Sequence, residues 1–144
     1  MSSDAQPAIP RIESRLLFHH VGVLVVSMHE ARMQYARLFG EEHVSAVIEI
    51  DSQKVRVCFV RIGEGSFLEL VESMDATSKV AGMLKRQTTY YHVGYKVDDI
   101  EKAVDEMQAL NYKPGEYFFS EAFNGKRCIF LFSPQAHLIE LIEA

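Results

Sequence analysis

The sequence predicts an α+β fold built from two tandem βαβββ modules, and three observations carry that prediction. The chain repeats itself: FHHVGVLVVSMHEARMQYARLFG (18 to 40) aligns with YYHVGYKVDDIEKAVDEMQALNY (90 to 112) at a shift of 72, or 71 in the helical part. An internal repeat constrains architecture before any single residue is considered. Each copy also reads as a strand followed by a helix. Two further pairs of runs correspond, VRVCFVRIG (55 to 63) with KRCIFLFSP (126 to 134), and SFLELVE (66 to 72) with HLIELIE (137 to 143). All four are β-branched and aromatic runs bounded by Gly, Pro, Ser or Asn, so they read as strands.

Taken in chain order, the residues before about Arg15 predict a loose tail. The first helix starts at Ser27, followed by Glu30 at capping-box spacing, and runs through Ala31, Tyr35 and Leu38 until Gly40 stops it. A less regular strand is expected near 43 to 50. The connector SMDATSKVAGMLKRQTT (73 to 89) predicts one short helix from about Ser78 to Lys85. In the second module Asp98 with Glu101 repeats the capping device, and Ile100, Val104, Met107 and Leu110 supply the apolar stripe. A further strand is expected near 116 to 121. At 144 residues and 48% hydrophobic content the chain predicts a single domain, with module one at about 16–73, a connector at about 74–88 and module two at about 89–144.

Composition narrows the function classes. With 15 Lys and Arg against 20 Asp and Glu, the net charge is −5, and no basic run could line a nucleic-acid groove. The longest apolar stretch, VGVLVV (21 to 26), is far short of a membrane span. The opening MSSDAQPAIPRIES is polar and proline-bearing, unlike a signal peptide. Cys58 and Cys128 sit in apolar stretches without C-x-x-C spacing, as buried free thiols of a reducing compartment would. A cytoplasmic protein acting on a small molecule is expected, with no nucleic-acid or membrane partner.

Side chains alternate across a strand, so His20, Gly22 and Leu24 share one face, and His19, Val21 and Val23 the other. By the same count His92, Gly94 and Lys96 share a face. The valine-bearing face suits packing under a helix, and each glycine leaves room beside its histidine. In the last strand of each module, Glu69 and Glu140 stand among apolar residues, which is costly unless something pairs them. The positions coincide under the repeat: His20 with His92, and Glu69 with Glu140. If the halves pack about a pseudo-two-fold axis, the four converge on one point. Two imidazoles and two carboxylates, with no thiolate, suit an open five- or six-coordinate divalent site; cobalt, nickel, manganese, zinc and magnesium all qualify. A lone strand histidine is more often a hydrogen-bonded core residue than a ligand. That explanation would have to hold four times over at equivalent positions. His19 faces Tyr91 in the repeat and His137 faces Ser66, and His29 and His43 have no counterpart, so none of these is a candidate ligand.

With these residues in place, the chain from about Leu17 onward resembles the vicinal oxygen chelate (glyoxalase/bleomycin resistance/dioxygenase) superfamily. Its members pair two βαβββ modules into a cupped mixed sheet around a metal, with ligands on the first and last strand of each module. The matching positions are His20, Glu69, His92 and Glu140. Two His with two Glu resembles the glyoxalase I and methylmalonyl-CoA epimerase branches. The wording is nearest the epimerases in HVGYKVDDIEKAV, SKVAGMLKR, NGKRCIFLFSP and LIELIE. It departs from them at Tyr91-His92, where a doubled His is usual, and at SPQAH, which replaces a longer glycine-rich segment.

The resemblance implies proton abstraction next to a carbonyl, with one divalent metal ion stabilising the enolate and Glu69 and Glu140 moving the proton from opposite sides. Glu49 is a weaker candidate base. Arg56, Lys126 and Arg127, together with Arg61, are candidates to bind the charged part of a substrate such as an acyl-CoA thioester. The aromatic loop PGEYFFSEAFNG (114 to 125) reads as a lid or as the contact of an expected homodimer. An epimerase-like isomerase is the leading reading. A glyoxalase I-type lyase and a metal-free drug-binding module of the bleomycin-resistance type are its rivals.

Overall fold

The strands and helices follow the predicted order with small shifts in position. The computed structural model describes residues 11–144. The first half contains β1 (Leu17–Leu24), α1 (Met28–Phe39), β2 (Ile48–Ile50), β3 (Val55–Gly63) and β4 (Ser66–Ser73). A connector helix α2 (Lys79–Lys85) leads to the second half: β5 (Tyr90–Val97), α3 (Ile100–Ala109), β6 (Lys113–Pro114), β7 (Phe118–Ser120), β8 (Lys126–Phe132) and β9 (Leu138–Glu143). The strands form one mixed sheet in the order β2-β3-β4-β1-β5-β9-β8-β6, with β7 also paired to β8. β1 runs parallel to β4, and β5 parallel to β9, while β1 and β5 join the two modules antiparallel.

One face of the sheet carries the helices. Ile100, Ala103, Val104 and Met107 of α3 pack on Val97, Ile129, Leu131 and Leu141, and Met28 of α1 packs on Cys58, Val60 and Leu70. The opposite face is concave. Its first-module side is lined by Leu24, Ile50, Val55, Val57 and Val71, against which α2 sets Val80. A 3₁₀ turn at Glu121–Phe123 touches β2, so the two ends of the curled sheet meet.

Four expectations need correction. The described part of the N-terminal tail, residues 11 to 14, is not loose: the Glu13 and Ser14 amides donate to Glu106 at 2.6 and 3.1 Å, and Ile12 packs against the α3 core. Residues 1 to 10 lie outside the described residues. The strand expected near 43 to 50 shrinks to Ile48–Ile50, because Glu41–His43 winds into a 3₁₀ turn and Val44 makes only an isolated bridge to Val60. Likewise the strand near 116 to 121 is Phe118–Ser120. The α3 cap is Asp99, whose side chain accepts from the Lys102 amide at 3.1 Å, and not Asp98. The cause is that β5 continues to Val97, where the Ala144 amide still bonds the Val97 carbonyl, so the helix starts a residue later.

Ser27 caps α1 as the sequence suggested, accepting from the Glu30 amide at 3.2 Å. Among the described residues no helix is long and apolar enough to cross a membrane. The cap assignment has a direct consequence: Asp99→Ala should lower unfolding stability by about 1 kcal/mol, whereas Asp98→Ala should stay within about 0.5 kcal/mol. Urea denaturation of the two variants distinguishes them.

Candidate metal centre

The centre is built where β1 crosses β5. In their antiparallel register His20 lies opposite Gly94, and His92 opposite Gly22. Each imidazole therefore rests on the other module's glycine. A Cβ at Gly22 would come within 2.5 Å of His92 Cε1, and one at Gly94 closer still to His20. The glycines of the two His-Val-Gly motifs thus make room for the facing histidine.

The register slips once on each strand, between Phe18 and His20 and between Gly22 and Val23, leaving His19 and Tyr91 as extra residues. Such bulges turn two successive side chains toward the same face. His19, expected on the helix side by simple alternation, instead faces the concave space, with its ring against Phe59, Phe67 and Phe123. Its Nδ1 lies 2.8 Å from His20 Nδ1. Tyr91 faces inward too, beside His92 and Phe130.

Parallel pairing places Gly22 beside Glu69 and Gly94 beside Glu140, which carries both carboxylates to the junction. The four side chains are almost wholly buried: His20 at 0%, His92 at 1%, and Glu69 and Glu140 at 4% exposure. His20 Nε2 and His92 Nε2 stand 2.8 Å apart. Glu140 Oε1 is 3.1 Å from His20 Nε2 and 3.3 Å from His92 Nε2, while Glu69 Oε1 is 3.5 and 3.1 Å from the same atoms. One ligand atom from each residue lies within 4.8 Å of all the others.

These atoms fit a divalent cation. Adjacent ligands at the roughly 2.1 Å bonds of such ions stand about 3 Å apart in an octahedral arrangement, matching the spacings above. Two Nε2 atoms at 2.8 Å share at most one hydrogen. Glu140 Oε1, though near both rings, has no aligned donor. Burial opposes the charged form of His92, but the Glu140 and Glu69 carboxylates beside it outweigh burial and lift the imidazole to about 9. Burial likewise pushes Glu140 up, yet the two histidines draw it down to about 2. His19 is lowered to about 4, first by burial and then by His20 and Lys96.

The remaining site candidates divide by face. Lys126 borders a cavity of about 290 Å³ beside the cluster, together with His19, Phe59, Phe67, Phe123 and Lys96. Lys96, not named as a candidate from the sequence, lines the same cavity, and alternation from His92 places it on this face. Arg56 and Arg127 are not at the cup's mouth. Arg56 pairs with Glu72 at 3.2 Å and Glu49 at 3.6 Å, and Arg127 with Glu101 and Glu143 at 3.0 Å each. Both lie on the helix-bearing face, because Val55, Val57, Cys128 and Phe130 hold the concave positions of their strands. Glu49 goes with Arg56, away from the cluster. In the aromatic loop Phe118 stacks on Phe130 and Phe123 on His20, while Phe119 is 68% exposed.

Two βαβββ modules joined edge to edge, with a buried metal-competent His₂Glu₂ cluster at their junction, define a protein of the vicinal oxygen chelate fold. The chain belongs to the Glyoxalase/Bleomycin resistance protein/Dioxygenase superfamily, whose family model matches residues 19–132. A comparison with curated protein sequences finds no match. Among solved structures, a hypothetical protein from Bacillus halodurans is similar at 24% identity and a TM-score of 0.75, over 92% of this chain and 95% of that one. Methylmalonyl-CoA epimerase from Mycobacterium tuberculosis is similar at 18% identity and 0.75, over 96% and 93%. A variant of the Streptomyces coelicolor methylmalonyl-CoA epimerase in complex with 2-nitronate-propionyl-CoA is similar at 20% and 0.76, over 90% and 99%. These likenesses concern the fold.

Two outcomes follow from the geometry. Gly94→Ala forces His20 or its strand aside, so it should destabilise the protein by about 1–3 kcal/mol and weaken metal uptake. Thermal denaturation and cobalt titration read both. Because His92 holds a proton up to about pH 9 in the metal-free protein, an entering cation must displace it. Apparent affinity should rise about tenfold per pH unit toward pH 9 and then level off. Calorimetry in buffers of different ionisation enthalpy counts the released proton. In the metal-free protein the raised pKa contributes stability that is full below about 6.5 and lost as pH climbs through about 9.

Proposed function

We propose that the protein is a metal-dependent isomerase that moves a proton next to a carbonyl, acting on an acyl thioester as an epimerase does. The observation that carries this reading is the pairing of Glu69 and Glu140, one from each module, across two histidines in a buried pocket. Among the described residues lining the two cavities beside the cluster, the only other acidic side chain is Glu143, which is held by Arg127. His20, Glu69, His92 and Glu140 would hold one divalent ion, which supplies Lewis-acid polarisation of a carbonyl oxygen when bound.

The residues then have distinct tasks. Glu69 and Glu140 reach the pocket from opposite modules, and each keeps a second carboxylate oxygen beyond the one it would offer to the ion, so one removes the proton and the other returns it. The apolar wall of Val55, Val57, Val71 and Tyr91 excludes water from the exchanging proton. Lys96 and Lys126, neither of them ion-paired with a described residue, attract the anionic part of the substrate. The similar structures support the substrate class, since one binds 2-nitronate-propionyl-CoA and another methylmalonyl-CoA.

Proton NMR in deuterated water tests the proposal. Metal-loaded protein should wash deuterium into the α-carbon of methylmalonyl-CoA or a related acyl-CoA. Glu69→Gln and Glu140→Gln, assayed at saturating metal, should slow that exchange by about 10²–10⁴-fold. No exchange with any thioester would reject the reading.

A further inference from the structure

His20 and His92 are equivalent under the repeat but not in their surroundings. The second ring nitrogen of His92, Nδ1, is buried and has no hydrogen-bond partner. That of His20 meets His19 Nδ1 at 2.8 Å, with the two rings nearly perpendicular at 85°. His19 is itself wedged in place, 4.9 Å from the Phe67 ring and 5.5 Å from Phe123. The bulge in β1 brings it there, and the matching bulge in β5 delivers a phenol, Tyr91, which makes no such bond.

The geometry points to His19 as a positioning residue that fixes the tautomer and ring plane of His20 for metal binding. The proton accounting is closed. The cluster gathers at His20 Nε2, so a cation bound there leaves the single proton of a neutral His20 on Nδ1. The acceptor in reach is the lone pair of His19 Nδ1, and His19 then carries its own proton on Nε2. A metal-binding histidine whose other nitrogen is bonded in this way is oriented before the ion arrives, and loss of such a partner typically costs 10–100-fold in metal affinity. Module one thus offers a ligand held by a hydrogen bond, and module two a ligand held by packing on Gly22 and Phe130. The inference rests on the metal reading and is independent of the substrate.

Cobalt(II) titration calorimetry of the full chain provides the test. His19→Leu keeps the bulk and removes the acceptor, whereas His19→Asn places an amide oxygen near the position of Nδ1. Affinity should fall 10–100-fold in the leucine variant and stay within about threefold of the parent in the asparagine variant. Unchanged affinity in the leucine variant, or equal losses in both, would overturn the role. If the leucine variant does not fold, ¹⁵N NMR of the zinc-loaded parent decides: His20 should show a protonated, slowly exchanging Nδ1, and a proton on Nε2 would overturn it. A parent protein that takes up no cobalt rejects the metal reading itself, which separates the two failures.

Discussion

The reciprocal seating of two imidazoles on two glycines holds the concave face together. Gly22 lies under His92 and Gly94 under His20, so the modules can join only in the register that stacks each histidine on the other strand's gap. A side chain at either glycine would occupy the volume of a ring. The same register aligns Glu69 and Glu140 through parallel pairing with the histidine strands. One constraint, the absence of two Cβ atoms, thus sets both the module junction and the spacing of four candidate ligands.

Burying four ionisable groups in one place would ordinarily oppose folding. Here the charges answer one another, with the Glu140 carboxyl held down by the two histidines and the His92 imidazole held up by the carboxylates beside it. That balance is a holding arrangement, since two facing Nε2 atoms and an unaligned carboxylate oxygen are satisfied better by one cation than by shared protons. The lysines facing the neighbouring cavity add positive potential outside the cluster, on the side where Glu143 is already neutralised by Arg127.

Much of this was legible in the chain. The 72-residue repeat gives the module order, and equivalence under the repeat, with strand alternation, picks out His20, Glu69, His92 and Glu140 as candidate ligands. What escaped was the bulges. One extra residue leaves no trace in a hydrophobic pattern when that residue is an aromatic or a histidine, and simple counting then sends His19 and Tyr91 to the wrong face. A clue was present: both positions carry large rings, whereas the helix-facing neighbours Val21, Val23, Val93 and Val97 are β-branched. Arg56 and Arg127 misled for another reason. Equivalence under the repeat marks shared structure, and in their case the shared structure is a salt bridge to the last strand of each module.

The contact between β2 and the 121–123 turn draws the two sides of the open, curled sheet together, and Phe123 on that turn stacks over His20. One turn therefore joins the ends of the sheet and covers the cluster. The cavity against the cluster, walled by Val55, Val57, Val71 and Tyr91 as well as by Glu69, His92 and Glu140, has room for about two water molecules. A substitution on the 121–123 turn thus acts on the curl of the sheet and on the cover of His20 together, from a segment that carries none of the four candidate ligands.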